Sequence, residues 1–585
     1  VSTPSTAAAR LPDEAGPGFQ RRLTLFDATM LIVGSMIGSG IFIVSADIAR
    51  DVGGSGWLLL VWGVAGLMTI LGALAYAELA AMMPHAGGQY VFLREAYSPM
   101  WGFLYGWTCF LVIQTGSIAA VGVAFAKFLG VVAPALGTEN VLVTVPNVNV
   151  SLWLPWLGEF FTMKDFTISA GQLVAVGVIV LLTWVNCLGV QEGKTVQNVF
   201  TVAKTIALLA LIAIGLTLAA DWAVWAANWE DPWFAIGETA KFNEVSQHGL
   251  VKMLGDETNP PTFLIALMVM GGAMVGALFS ADAWNNVTFI AGEVQEPRRN
   301  LARSLVLGTG AVIVLYLLAN VAFLAALPIQ GSPGVAAQVN ASNTVIDARN
   351  RSAAILAASD DPDAAAKAEA KRDEAKAEEA KRDEFLAEAS TRDRGIAFAK
   401  DDRVGTAVVT LISPTFGAYL MAVAIMISTF GCVNGMTLMG ARLYYAMARD
   451  GLFFRAVGGL NSRGVPAAGL ILQGFWSILL VFSGSYNQLL DFVIFAVLVF
   501  YVLTVVGLFV LRWRMPNAER PVKAFGYPLL PAIYVLLAAA IMVDLLIVKP
   551  LYTWPGLVIV LSGIPVYFLW RALGRKPEPS AETPA

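Results

Sequence analysis

The chain has 585 residues, of which 57% are hydrophobic and 14% charged, with a formal net charge of −4. Ordinary globular proteins carry about 25% charged residues, so this composition excludes a soluble enzyme, a disordered chain and a nucleic-acid binder. The charges are also unevenly spread, since residues 330–403 hold 12 of the 38 Lys/Arg and 15 of the 42 Asp/Glu.

Residues 1–23 contain Arg10, Arg21 and Arg22 but no apolar core, and read as a cytoplasmic tail rather than a cleaved signal. A helix needs about 20 apolar residues to cross the hydrocarbon layer. Stretches of that kind fall near 24–50, 56–83, 100–131, 168–187, 197–219, 262–292, 303–327, 414–447, 466–483, 487–511, 528–548 and 554–573. The expected fold class is therefore an all-α integral membrane protein of about twelve helices. Spans one to seven occupy 24–329, a polar insertion 330–403, spans eight to twelve 404–573, and a second cytoplasmic tail 574–585.

The positive-inside rule agrees with that count. With both termini in the cytoplasm, 19 Lys and Arg gather in the tails and short loops of that side. Only 5 fall in short loops outside: Arg50, Lys164, Lys241, Lys252 and Lys549. Within the insertion, residues 352–390 are rich in Ala and charge, and AKRDE occurs at 370–374 and again at 380–384. Strong helix formers with opposite charges three or four apart predict a solvated helix or helical hairpin. It serves either as a tolerated elaboration of the loop or as an element for an unknown partner.

The first span contains GSMIGSGIF at 34–42, with Gly34, Gly38 and Gly40 around Ser35 and Ser39. Glycine costs about 1 kcal/mol relative to alanine inside a helix, so unwinding is cheap here. Close helix packing through the GxxxG pair Gly34 and Gly38 is the alternative. In the sixth span, Ser280, Asp282, Asn285 and Asn286 interrupt an apolar run. An ionisable group at mid-membrane is costly unless it faces a cavity or a partner. The two interruptions lie five spans apart, as in a transporter built from inverted five-helix repeats with its substrate site at the paired breaks.

Unwinding gives such a site its chemistry. At the first break, the N–H groups around Ser39, Gly40 and Ile41 and the positive end of the helix dipole favour a carboxylate. Carbonyl oxygens at the ends of the preceding half-helices, around Met36, Ile37, Phe279, Ser280 and Ala281, suit an ammonium. Amides on one side and carbonyls on the other match the head of an α-amino acid.

Lys204 lies about 10 Å into the fifth span at a rise of about 1.5 Å per residue. Either it snorkels to the interface, or its ammonium bonds broken-helix carbonyls near Gly34 and the hydroxyls of Ser428 or Thr429.

Other signals are weak. GVQEGKT at 189–195 has one residue too few between its glycines for a phosphate-binding loop. Cys109, Cys187 and Cys432 form no metal or disulfide framework, and no cofactor is called for. Of the two histidines, His85 reads as structural, and His248 is too distant from it in sequence to build a metal site with it. Glu78, Glu293 and Arg442 lie near cytoplasmic helix ends and are expected to form closure ion pairs. Asp544 in the eleventh span has no role in this reading.

Several stretches resemble one family: GSMIGSGIF at 34–42, AYAELAAMMPHAGGQYVFL at 75–93, NCLGVQEGKTVQNVFTVAK at 186–204, FSADAWNNVTFIAGEVQEPRRN at 279–300 and STFGCVNG at 428–435. They resemble the L-type amino acid transporters of the amino acid, polyamine and organocation superfamily. The resemblance implies a five-plus-five inverted repeat with broken first and sixth helices, and sodium-independent exchange or proton-coupled transport of neutral, and with Asp282 also cationic, L-amino acids. It also implies that Ser39 and Gly40 hold the substrate carboxylate, and that Met36, Phe279, Ser280 and Asp282 offer carbonyls to the amine. Phe279 would act as an aromatic lid and Asn285 would line the pocket. Lys204 would stand where sodium-coupled relatives of the fold bind a cation, with Gly34, Ser428 and Thr429 around it. A sodium-coupled symporter and an amino-acid sensor are the alternatives.

Three features depart from the family pattern. Residues 132–167 lack the cysteine that joins animal members to a heavy subunit, so no disulfide-linked partner is expected. Asp282 and Ala283 stand where many members have glycine. The charged insertion is foreign to the family. The resemblance and the missing cysteine together suggest a bacterial inner membrane.

Overall fold

The computed structural model describes residues 19–146, 150–154, 158–163, 166–233, 236–237, 239–247, 251, 261–357, 363–483 and 486–573. Most of the tail segments 1–23 and 574–585, together with His248, Lys164 and Lys252, lie outside these residues.

Among the described residues ten helices are long and apolar enough to cross a membrane, and an eleventh span is the pair Leu25–Met36 and Gly40–Val52, bent by 42° at its break. Ala467–Ser483 is a shorter apolar helix of 17 residues at the position of the expected ninth span. Local chemistry sets where several helices begin. Thr24 accepts from the Asp27 amide while Asp27 Oδ2 accepts from the Thr24 amide, a reciprocal cap at the start of the first span. Ser169 and Gln172 do the same at the start of the fourth span, Ala170–Leu188. The third span, Pro99–Val132, holds a wide π turn at Cys109–Ile113 directly before Gln114.

The spans pack as the inverted repeat requires. The first meets the sixth (Thr262–Glu293), the second (Ser55–Met82) meets the seventh (Pro297–Ala326), the third meets the eighth (Pro414–Arg449), and the fourth meets the ninth. Outside the spans, Pro333–Ala357 and Ala364–Glu388 pack together as a helical hairpin; the second helix falls in the 352–390 stretch expected to be helical, and the first begins well before it. Ala353, Ala364, Ala368 and Ala375 are buried in it, and Arg382 bonds Asn343 across it.

The all-α class holds for the spans, and among the described residues two short two-stranded sheets lie outside them. After the third span, β1 (Val141–Val145) pairs antiparallel with β4 (Phe166–Ser169), and β2 (Val150–Leu154) pairs antiparallel with β3 (Gly158–Met163). Runs such as VLVTV and SLWL are too short to span a bilayer and rich in residues that suit a strand. A search for long apolar runs passes over them.

Candidate functional site

The first helix ends at Met36, Ile37 is extended (φ −73°, ψ 96°), and helix resumes at Gly40. The sixth span ends its first helix at Ser280 and resumes as tight turns over Trp284–Glu293. Between them Ala283 has φ of +68°, the left-handed region that costs an L residue about 1–2 kcal/mol. The two breaks touch, since a Cβ on Gly40 would strike the side chain of Ser280. The glycine at position 40 lets the two interrupted helices meet.

Lys204 is buried in the fifth span, Val190–Leu216. Its Nζ donates to the carbonyls of Gly34 at 2.6 Å, Ile37 at 2.7 Å and Ser428 at 2.9 Å. An ammonium has three donors and no acceptor, so this set uses all of them. Gly431 makes room, because a Cβ there would lie 3.3 Å from the ammonium nitrogen.

The hydroxyls expected beside Lys204 are used elsewhere. Ser428 Oγ, with one proton to donate, lies 3.1 and 2.9 Å from the carbonyls of Ile37 and Gly38. Thr429 Oγ1 turns back onto its own helix, to Ile425 and Met426. Ile37 also departs from expectation. Its carbonyl accepts from Lys204 at 2.7 Å and lies 3.1 Å from Ser428 Oγ, so the cage competes for it with an ammonium in the cavity.

Sequence reasoning passed over Tyr316 of the seventh span. Its buried hydroxyl lies 2.9 Å from the carbonyl of Met36 and 3.0 Å from that of Ser280, so one phenol bridges the C-terminal ends of both interrupted helices. Phe279 accepts from the Asp282 amide at 3.1 Å. Ser39, Gly40, Ile41 and Ala281 are buried at the junction.

Beyond the sixth break is a polar cluster. Tyr501 donates to Asp282 Oδ1 at 2.5 Å and lies 3.1 Å from Asn285 Oδ1. Asn285 donates to Gln89 at 2.8 Å, and Asn286 donates to Gln114 at 3.2 Å. Asp282, Asn285, Gln89, Gln114 and Tyr501 line a cavity of about 20 Å³, room for a water-sized group. Gln114 in mid-span was the available signal for this cluster, since a polar side chain there needs a partner.

On the face bearing the insertion, a vestibule of about 500 Å³ is lined by Asp47, Lys241 and Lys549 at helix ends and by Gly276 and Phe279 at the break. Phe279 is half-buried where the vestibule meets the site. The opposite face is closed by ion pairs. Arg442 Nε lies 2.9 Å from Glu293 Oε1, with both side chains almost wholly buried. Glu78, fully buried, takes Arg512 at 2.5 Å, Arg520 at 3.2 Å and the Ala524 amide at 2.6 Å. The pre-span segment is tied in here too, as Leu23 donates to the Glu293 carbonyl and accepts from Gln295.

His85 lies in the loop after the second span, where burial, then the neighbouring Arg94, push its imidazole below the usual histidine value. Asp544 packs against Gly271 of the sixth span. Both of its oxygens lack a hydrogen-bond partner among the described residues, and this geometry gives it no role. Among the described residues no group of three or more metal-ligating side chains occurs.

The sequence pattern of the amino acid permease family matches residues 23–357 and 391–569. The chain belongs to that family. The permease leaves only 358–390 unmatched in its interior, a narrower segment than the 330–403 insertion expected from charge. It is 27% identical over 571 residues to the human large neutral amino acids transporter small subunit 2, covering 97% of this chain and 84% of the relative. It is 26% identical over 556 residues to the human b(0,+)-type amino acid transporter 1, covering 94% and 88%. With the mouse Asc-type amino acid transporter 1 it shares 25% over 559 residues, covering 94% and 82%. The permease is thus a membrane carrier of amino acids and not an enzyme.

Proposed function

We propose that the permease moves L-amino acids by alternating access, with the substrate head held between the two breaks. The observation that carries this reading is the contact of Gly40 with Ser280, which sets the amide end of one half-helix beside the carbonyl ends of two others. Ser39, Gly40 and Ile41 would take the carboxylate. Met36, Phe279, Ser280 and Ala281 would face the amine, with the Tyr316 hydroxyl aligning the carbonyls of Met36 and Ser280. Phe279 closes over the substrate from the vestibule, and Asp282 and Asn285 bias the choice of side chain.

Sodium-independent transport is supported by Lys204, whose ammonium fills a cage of three carbonyls and leaves no place for a metal cation. A neutral amine has two N–H groups and would release one of the three carbonyls. The three carbonyls favour the charged ammonium, and we favour exchange over proton coupling through this residue.

The charge asymmetry supports cytoplasmic termini and an outward-facing insertion, so the vestibule opens outside while the pairs of Glu293 and Glu78 close the cytoplasmic side. The absence of cysteine from 132–167 supports function without a disulfide-linked heavy subunit, and a bacterial inner membrane. A counterflow panel of the twenty amino acids in proteoliposomes, with and without sodium and a pH gradient, tests this reading. No exchange of any amino acid would refute it.

A further inference from the structure

A second crevice, of about 600 Å³, opens on the insertion face beside the vestibule, between the ends of the third and eighth spans and the segment that follows the helical hairpin. Lys127, Arg394, Lys400 and Arg403 line it against Glu139 and Asp401, two positive charges in excess. Asp401 lies 3.4 Å from Arg403 and is the acid already spoken for. The Arg403 guanidinium sits 5.3 Å from the ring centroid of Phe128. Burial pushes it below the usual arginine value, with Asp401 and then Glu139 opposing.

The Nε groups of Arg394 and Arg403 are both buried with no hydrogen-bond acceptor among the described residues. A buried charged donor without an acceptor loses solvation that nothing repays. An oxyanion in the crevice would offset part of the excess charge through the cationic groups of Lys127, Arg394, Lys400 and Arg403 that line it. A phosphodiester is a monoanion whose two unesterified oxygens can accept from several guanidinium and ammonium donors at once.

The lower wall differs in kind. Ala407, Ala418 and Ala422 line it, and the latter two lie one turn apart on the eighth span. Phe416, Tyr419, Leu420 and Val423 on that same stretch are exposed, as residues facing lipid would be. A crevice with cations at the level of the helix ends and small apolar residues below fits a headgroup with a chain beneath it.

We propose that this crevice is a binding site for a phosphate group, carried by an anionic phospholipid of the leaflet on the insertion face. Lys127, Thr138 and Glu139 line both this crevice and the vestibule. A bound phosphate would thus reset the charge along the substrate's entry path.

The test uses the purified full-length permease, stripped of lipid in detergent and titrated with phosphatidylglycerol, phosphatidylcholine or inorganic phosphate. Binding is read by native mass spectrometry and by the shift in Tm, neither of which requires transport. Phosphatidylglycerol is expected to bind in preference to phosphatidylcholine and to raise Tm. The double variant Arg394→Gln, Lys400→Gln is expected to weaken it at least about tenfold. Lys127→Gln, titrated in the same way, decides the matter if the double variant loses its fold. Competition by inorganic phosphate would assign the site to free phosphate, and failure to compete would assign it to the lipid headgroup. Equal binding of the two lipids, or equal binding by wild type and variants, would overturn the proposal.

Discussion

The ammonium of Lys204 lies 2.6 Å from the carbonyl oxygen of Gly34, although 170 residues separate them along the chain. Gly34 closes the first half-helix together with Ile37, and the same ammonium holds both. The unwound turn is thereby held open by a charge supplied from another span.

Replacing Lys204 removes that charge and leaves three buried carbonyls without a donor. Lys204→Met is expected to reduce counterflow at least about a hundredfold, the consequence of losing about 3 kcal/mol of charged hydrogen bonding. Added sodium should leave wild-type flux unchanged. Near-normal flux in the variant, measured in proteoliposomes, would remove Lys204 from the mechanism.

Tyr316→Phe keeps the ring, which packs edge-on to Trp62 at 5.5 Å, and removes only the hydroxyl between Met36 and Ser280. A single neutral hydrogen bond contributes about 1 kcal/mol, so KM for amino acid counterflow is expected to rise about fivefold with little change in Tm. An unchanged KM would show that the two carbonyls hold their positions without the phenol.

The pair of Glu293 and Arg442 is almost wholly buried, so cutting one partner strands the other as an uncompensated charge. Glu293→Met is expected to cost about 3–5 kcal/mol, and the double replacement Glu293→Met, Arg442→Met to recover most of it. Thermal unfolding in detergent reads both values. Additive losses would mean that the two side chains act independently.

Ala283 holds a backbone conformation that glycine adopts without strain. Ala283→Gly is expected to raise stability by up to about 1 kcal/mol, because relief of strain exceeds the added freedom of the unfolded chain. Ala283→Val should lower it. A Tm that falls on substitution by glycine would mean that the Ala283 methyl contributes packing worth more than the strain.

Asp282 accepts from Tyr501 and lines the small cavity beyond the break. Asp282→Asn is expected to weaken arginine and lysine counterflow more than that of leucine or alanine. Equal losses in both classes would assign the carboxylate to holding Tyr501.

Much of this molecule was legible in the order of its residues. Eleven of the twelve expected spans and both interruptions follow from hydropathy, from the glycines around Ser39 and from polar residues in the sixth span, because lipid tolerates such residues only where protein or a cavity receives them. For Lys204 the sequence left snorkelling and an approach to Gly34 as alternatives, and the packing of the fifth span chose the second. Which groups met it could not be anticipated. Ser428 offers its carbonyl rather than its hydroxyl, and the Ile37 carbonyl serves the cage, since the direction of a main-chain dipole depends on how three spans pack together. Tyr316 gave no signal, being an aromatic residue in an apolar helix whose hydroxyl finds its partners only when the first, sixth and seventh spans converge. The chain's periodicity and composition determined what must avoid lipid. Tertiary packing alone decided which buried dipole faces which charge, because those pairings join different spans, 36 to 391 residues apart, and leave no local pattern.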